Sequence, residues 1–567
     1  MTTRPCEINI NKSTRNKLSK TSFEETESCV EKRQCVTSNR KLGMMSIMNS
    51  PRSHLPNTLP IPTYDQVRAA YVTSYNHELQ QGTISPLTSF HFLGYNLLLT
   101  YIFFSLHPEV RRVKYLVAVT ICVLSVYTLL YCRTLGLAYG LGLGSLVAWP
   151  LVLVSTYIVC SEPHRDVRRL VRRPQVADSG VLQNGNASGD HDTMQHLANG
   201  MNDKFYWQAM PTALLPRAIW VYDLVSSFRG PHWSWSIRGS QQPGKTYVTP
   251  PPPLVSASTM PTTPIRVLRC TAAYLALDTL KSIMLTDGYF LSLSPSPPPS
   301  WFPVTPSSLL SWLLLRTTRS TLSLLGIFSA LQYTNEVISL CAYHLLPTGW
   351  ALGDYSHPEF ATPLFGPVQA IADGGIIGFW NSYWHQLFRA GFVTAGRSLA
   401  RQLGLTQGRP KARALIGITA FLMSGFCHGV ASYMLWGNMD QPFWQGFKAF
   451  SFFAVQPVGI ALQLAILPRP DTAHTTPPTW HSRLANTAFL LIWLWATSPL
   501  FLDTLARGGL WLFEPVPLSF IRGMGWSRDR RWVCWDVAEV GWKGITWSGA
   551  RVVWEGKRWW LSGVQIL

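Results

Sequence analysis

After residue 85 the chain alternates long apolar stretches with shorter polar ones. A helix needs roughly 20 predominantly apolar residues to cross a bilayer core, and about eight stretches approach that length. They fall at 90–106, 116–132, 138–160, 268–285, 322–346, 414–436, 447–467 and 484–502. The pattern predicts an all-α polytopic membrane protein with about eight transmembrane helices, between seven and nine.

The polar segments divide the chain. Residues 1–85 read as a disordered tail, because Ser, Thr, Asn, Lys and Arg dominate and apolar residues are scattered. Residues 86–160 hold three N-terminal helices, the third with Gly140, Gly142 and Gly144 spaced for close helix packing. Residues 161–264 form a long polar cytosolic loop that opens on Arg165, Arg168, Arg169, Arg172 and Arg173. Inside it lie a Gly/Asn/Asp-rich insertion near 178–203, an aromatic segment at 220–233 suited to the membrane interface, and a stiff proline linker at 250–253. Residues 265–520 carry the remaining apolar stretches. The tail 521–567 alternates Trp with Arg, Lys and Gly, as an interfacial segment does, and receives no function.

Composition narrows the class. Only 14% of the 567 residues are charged and 47% are hydrophobic, which excludes a string of soluble domains. The net charge of +19 sits beside apolar stretches, where positive-inside topology explains it without nucleic acid as a partner. A cytosolic Arg111/Arg112 loop puts the segment from Ser161, the connector 386–413 and the segment 469–483 on the same side, with both termini lumenal. No signal-peptide core precedes the first apolar stretch, so that stretch serves as the targeting signal. The ten cysteines form no CxxC pair and no disulfide framework.

Candidate chemistry concentrates in 379–436. An aromatic run, Phe379-Trp380-Asn381-Ser382-Tyr383-Trp384-His385-Gln386-Leu387-Phe388-Arg389, carries one imidazole, one amide and one guanidinium. On a continuous helix Asn381, His385 and Arg389 would share one face, each four residues from the next. Alone, such a run reads equally well as an interfacial helix. The stretch 414–436 contains Ser424-Gly425-Phe426-Cys427-His428-Gly429, and a histidine at membrane depth is a functional-site hypothesis by default. The small neighbours of His428 suit either a substrate cavity or a tight helix crossing. Asp278 and Glu336 also fall at membrane depth, where pairing with Arg or His inside the bundle explains them better than catalysis. No Walker loop, HExxH or diiron spacing occurs, so no metal site is expected.

The ordered motifs Pro363-Leu364-Phe365-Gly366, Phe379-Trp380, Trp384-His385-Gln386 with Arg389, and Ser424-Gly425 with His428 resemble the wax synthase domain of the membrane-bound O-acyltransferase superfamily. Arg229-Gly230 followed by Trp233 resembles an element of its fungal secondary-metabolite branch. The resemblance covers roughly 205–520 and makes 265–520 the acyltransferase core.

It implies an intramembrane catalytic cavity and acyl transfer from an acyl-CoA, acetyl-CoA favoured, to the hydroxyl of a lipophilic acceptor such as a terpenoid or meroterpenoid. His428 would be the general base and His385 the group at the thioester. Asn381, Trp384, Arg389 and Ser424 would bind substrate. No permanent cofactor is implied, and the site would sit in the endoplasmic reticulum membrane. Long-chain wax-ester or sterol-ester synthesis is the same chemistry with another donor. A transporter using Asp278, Glu336 and His428 as relay groups is the reading of another class, against which stands the absence of repeat symmetry.

Overall fold

A computed structural model describes residues 62–134, 137–172, 205–235, 263–293, 296–302, 308–346, 353–355, 363–437, 439, 441–467, 479–527 and 529–534, with the backbone of a hairpin at 551–555 and 558–562. The insertion near 178–203, the proline linker, and the tail from 535 to 550 lie outside the described residues, as do residues 1–61.

Part of the N-terminal tail is ordered. Helix α1, Tyr64–Gln80, begins in a capping box in which the Thr63 hydroxyl and the Gln66 side chain satisfy each other's backbone N–H groups. The Tyr64 hydroxyl donates to the Leu512 carbonyl at 2.6 Å and pins the helix to the far end of the chain. The expectation of disorder therefore fails over 64–80, where polar residues conceal a cap and a long-range anchor.

Helices α2 (Leu93–Phe104), α3 (Lys114–Tyr131) and α4 (Leu137–Val154, continued by a π-turn at Ser155–Val159) pack with α5 (Leu214–Ser226). Leu98, Ile102, Ile121, Ile158, Trp220, Leu224 and Trp233 form their common core. Trp220 and Trp233 are fully buried, 5.0 Å apart edge to face, and the Trp233 Nε1–H donates to the Ser227 hydroxyl. The aromatic segment of the long loop thus contributes Trp220 and Trp233 to the core, while Tyr222 stays exposed. A short antiparallel pair, β1 (Arg169–Arg172) and β2 (Phe205–Gln208), closes the loop's base.

Helices α6 (Thr263–Met284) and α7 (Leu309–Leu340) form a long pair. They are followed by α8 (Gln369–Gly378, with a π-turn at Phe379–Tyr383), α9 (Arg389–Gln402) and α10 (Pro410–Trp436). Then come α11 (Pro442–Ala454), α12 (Gln456–Ile466), α13 (Trp480–Thr497) and α14 (Pro499–Arg507). Gly140 and Gly144 of α4 lie against the backbone of α10 at Met434 and Ala431, with no space for a Cβ. Two of the three expected glycines thus serve close packing, while Gly142 faces open space.

Among the described residues four helical stretches are long and apolar enough to cross a membrane: Lys114–Tyr131, Ala138–Val159, Pro410–Trp436 and Pro442–Ile466. Helices α13 and α14, bent by 47°, make a fifth if taken as one span. The eight expected stretches are all largely helical, but the apolar helix at Phe90–Phe104 is short, α6 carries too many charges to qualify and α7 too many polar residues. Several of the charges on these helices are matched inside the bundle. Arg266 donates to Glu336 at 3.3 Å, Gln332 donates to the same carboxylate at 2.7 Å, and Arg319 grips Asp287 with two bonds of 2.7 and 2.8 Å. Glu336 therefore has the structural pairing its depth suggests. Asp278 accepts instead from the backbone N–H groups of Phe520 and Ile521, at 2.8 and 3.1 Å, and from the Ser519 hydroxyl. The start of the C-terminal tail is likewise folded in, with Arg522 fully buried between Glu514 and Asp529.

Candidate active site

The aromatic-histidine motif is preceded by a break in α8. Gly375 has φ 56° and ψ −130°, a conformation open to glycine, and a Cβ there would strike the Gln463 side chain. The interrupted backbone is satisfied from two other helices. Gln463 of α12 accepts the Ile376 N–H at 2.8 Å and donates to the Gly374 carbonyl at 3.1 Å and to Asn486. Asn486 of α13 donates to the carbonyls of Ala372 and Asp373 at 3.2 and 3.0 Å. Broken helices persist in apolar surroundings only with such replacement partners.

The π-turn that follows buries Phe379 and sets Trp384 against it, stacked at 5.4 Å. Trp380 donates its indole N–H to Gln456 of α12 at 3.2 Å, a carbonyl shared with Trp493. The helix then stops at Tyr383 and the chain runs extended at Trp384. Gln386 holds the stop by donating to the carbonyls of Trp380 and Trp384 at 3.1 and 2.6 Å. A new helix starts at Arg389 after Phe388, whose φ of 66° marks a sharp turn. Asn381, His385 and Arg389 consequently do not share a helix face, as the spacing alone predicted. Arg389 folds back to donate to the Asn381 carbonyl at 2.9 Å, to its Oδ1 at 3.4 Å and to Gln386 at 2.5 Å. Asn381 and Arg389 thus tie the loop, with Asn381 exposed.

Two further segments close on this loop, and spacing gave no sign of how they meet. Gly366 donates to the Tyr383 carbonyl at 2.8 Å, locking Pro363-Leu364-Phe365-Gly366 onto the helix end. The Phe365 ring meets Trp384 at 5.4 Å and His385 at 6.4 Å. On the other side, Asp354 accepts the backbone N–H groups of Phe228, Arg229 and Gly230 at 2.7–3.2 Å, and Arg229 donates to the Pro363 carbonyl at 2.9 Å. Burial raises the Asp354 carboxyl above its ordinary range, against the pull of these N–H groups and of Arg229. Phe388 donates to the Phe228 carbonyl at 3.2 Å, and its ring meets Phe228 edge to face and Trp149 of α4 at a tilt. Asp223, which takes the Gly353 N–H at 2.7 Å, also binds His232 at 2.9 Å and Arg169 at 3.3 Å. Burial pushes the Asp223 carboxyl up, but His232 and Arg169 outweigh it and hold the group below the ordinary range.

His385 sits where these segments converge. Its Nδ1 is buried and has no hydrogen-bond partner among the described residues. Burial, then the charges of His428 and Arg229, push its imidazole down to about 3, so the ring is neutral near neutral pH. The same electrostatic contact joins the two candidate histidines. His428, in the second half of α10, approaches the Ser424 carbonyl with Nδ1 at 2.8 Å. A carbonyl only accepts, so Nδ1 carries the proton and Nε2 holds the free lone pair. The ring is stacked on Phe453 at 4.1 Å and meets Phe501 edge on at 5.3 Å, which fixes its plane. The glycines beside it serve the helix crossing: a Cβ on Gly425 would lie 2.9 Å from the Phe450 carbonyl, and one on Gly429 3.0 Å from that of Gly446. Ser424 contributes its backbone to the imidazole. Among the described residues no three His, Cys, Asp or Glu side chains converge as a metal site requires.

Residues 361–455, the span of these motifs from Phe365 to His428, match the membrane bound O-acyl transferase family. Acetyltransferase spyB of Aspergillus fumigatus is 29% identical over 164 residues, 26% of this chain and 26% of that protein. Acetyltransferase ple2 of Rhodocybe pseudopiperita is 27% identical over 177 residues, 31% and 44% of the two chains. Acetyltransferase TRI7 of Fusarium sporotrichioides is 29% identical over 184 residues, 30% and 40%. The matches span between a quarter and a half of the length of these curated relatives. No solved structure matches the chain. Segment 361–455, which carries both candidate histidines, is thus the part of the chain that is similar to the membrane bound O-acyl transferase family.

Proposed function

We propose that the protein is a membrane-bound acyl-CoA-dependent O-acyltransferase, and that it moves an acetyl group from acetyl-CoA to the hydroxyl of a lipophilic acceptor of the terpenoid or meroterpenoid kind. The observation that carries the reading is the His428–Ser424 bond, which leaves Nε2 as a base on a span of the bundle, electrostatically coupled to His385. The acceptor oxygen attacks the thioester carbonyl carbon while its proton passes to His428 Nε2. The C–S bond then breaks, and the leaving thiolate takes that proton and departs as free CoA. His385, neutral and with an unpartnered buried nitrogen, would donate to the thioester oxygen as charge builds there.

In this reading Ser424 and Trp384 flank the acceptor, while Asn381 and Arg389 shape the loop that admits it. The core 265–520 is joined by 228–230 through Asp354, and α2, α6 and α7 complete about eight spans of an endoplasmic reticulum protein, several of their charges matched internally. Excluding water from the cavity protects the thioester from hydrolysis. The relatives named acetyltransferases favour the acetyl donor over a long-chain one.

The test uses microsomes holding the wild-type chain or His428→Ala, supplied with labelled acetyl-CoA or palmitoyl-CoA and a panel of terpenoid, sterol and fatty alcohols. Ester from wild type, with a loss of about 10²–10⁴-fold in the variant, supports the base assignment. Equal ester from both removes His428 from the mechanism.

A further inference from the structure

A cleft of about 290 Å³ opens at the ends of α2, α3 and α4, on the side that positive-inside topology assigns to the cytosol. Arg111, Arg112, Lys114 and His164 line it, with Glu162 as its one acidic residue. Three fixed positive charges against one negative leave an excess of two. Among the described residues no carboxylate pairs with Arg112 or Lys114, and Glu162 lies 3.7 Å from Arg165 and 3.9 Å from His164.

His164 sharpens the picture. Arg111 lies 2.9 Å from its Nε2, and because a guanidinium only donates, Nε2 accepts and the proton sits on Nδ1. Burial and then the Arg111 charge push this imidazole below its ordinary value, which keeps it neutral. Its Nδ1 is buried and has no hydrogen-bond partner among the described residues. The cleft therefore combines three cations and a neutral histidine with a single carboxylate, and a phosphate supplies the negative charge that is missing.

We propose that this cleft is a phosphate-binding site, filled by the nucleotide phosphates of the acyl-CoA or by the headgroup phosphate of an anionic lipid. The first source rests on the acyltransferase reading, and the second does not. The position suits the first: Trp149, whose ring lies 4.6 Å from that of Phe388 in the His385 loop, is on the same helix as Ile158 in the cleft wall. Their separation of nine positions spans about 14 Å at helical rise. A cofactor held by its phosphates at the cleft has its acyl end within reach of that loop.

Binding would be measured on the full chain in phosphatidylcholine nanodiscs with adenosine 3′,5′-bisphosphate, and by native mass spectrometry of retained phosphatidic acid. The double variant Arg112→Gln/Lys114→Gln leaves the Arg111–His164 contact in place, and Arg112→Gln alone changes an exposed residue, should the double variant not insert. Arg165→Gln, on the same connection but outside the cleft, is the control. One probe is expected to bind wild type and Arg165→Gln alike, and to weaken tenfold or more in the double variant. Loss of the bisphosphate assigns the cleft to the cofactor, and loss of phosphatidic acid alone assigns it to lipid. If neither probe distinguishes wild type from the variants, the site does not exist. Neither readout requires ester formation, so a chain that binds but makes no ester overturns only the enzymatic reading.

Discussion

The carboxylate of Asp354 accepts the backbone N–H of Gly230 at 2.7 Å, across 124 residues of sequence. The neighbouring N–H of Arg229 is bound at 2.8 Å. One side chain thereby fixes the loop whose Arg229 reaches the Pro363 carbonyl. Asp354→Asn keeps one acceptor oxygen and turns an NH₂ toward backbone donors. We expect a stability loss of about 1–3 kcal/mol, read as a lower thermal midpoint in detergent, with a parallel fall in ester formation.

His385 predicts a pH dependence of stability. Its folded value lies near 3, below that of an unfolded histidine. The unfolded chain therefore binds the proton more tightly, and the stability associated with the neutral ring is present above about pH 6.5. It is lost as pH falls from there toward 3. His385→Asn removes this component, so the midpoint of the variant should vary less than that of wild type between pH 7 and pH 5. Equal slopes would contradict the burial of this ring.

Gly446 of α11 and Gly429 of α10 face each other so closely that a Cβ on Gly446 would lie 2.8 Å from the Gly429 carbonyl. Gly446→Val must push the helices apart. The expected cost is about 1–3 kcal/mol, together with displacement of Phe453 from the His428 ring. Thermal unfolding and ester formation should fall together, and an unchanged midpoint would mean that the crossing is looser than the structure has it.

Ser424 offers His428 its carbonyl, which any residue retains. Ser424→Ala should therefore leave kcat nearly unchanged. If the hydroxyl also meets the acceptor, KM for the alcohol rises several-fold, the mark of an interaction made equally in ground and transition states. A collapse of kcat would show that the side chain, and not the backbone, orients the imidazole.

What was legible in the sequence is what depends on local pattern. The apolar stretch around His428 announced both its helix and its unusual histidine, and the depth of Glu336 announced a buried partner, found in Arg266. The Asn381–His385–Arg389 spacing misled because the helix stop depends on where the Gln386 side chain points, and periodicity carries no record of that. Asp354 stayed hidden for another reason: its three N–H donors lie more than 120 residues upstream, in a segment whose aromatic content suggested the membrane interface. Helices α6 and α7 fall below spanning hydropathy because their charged and polar residues, Arg266, Arg319 and Glu336 among them, lower the mean while pairing inside the bundle.

The break at Gly375 also sets an order on biosynthesis. Its replacement partner Asn486 follows Asp373 by 113 residues. At 5–20 residues per second the ribosome takes roughly 6–23 s to supply it. Throughout that interval the carbonyls of Ala372 and Asp373 have been made and their amide donor has not, so the histidine loop cannot reach its final shape until α13 has emerged. A chain cut short before α13 would carry both histidines and every motif of the site, and would still hold an unfinished one.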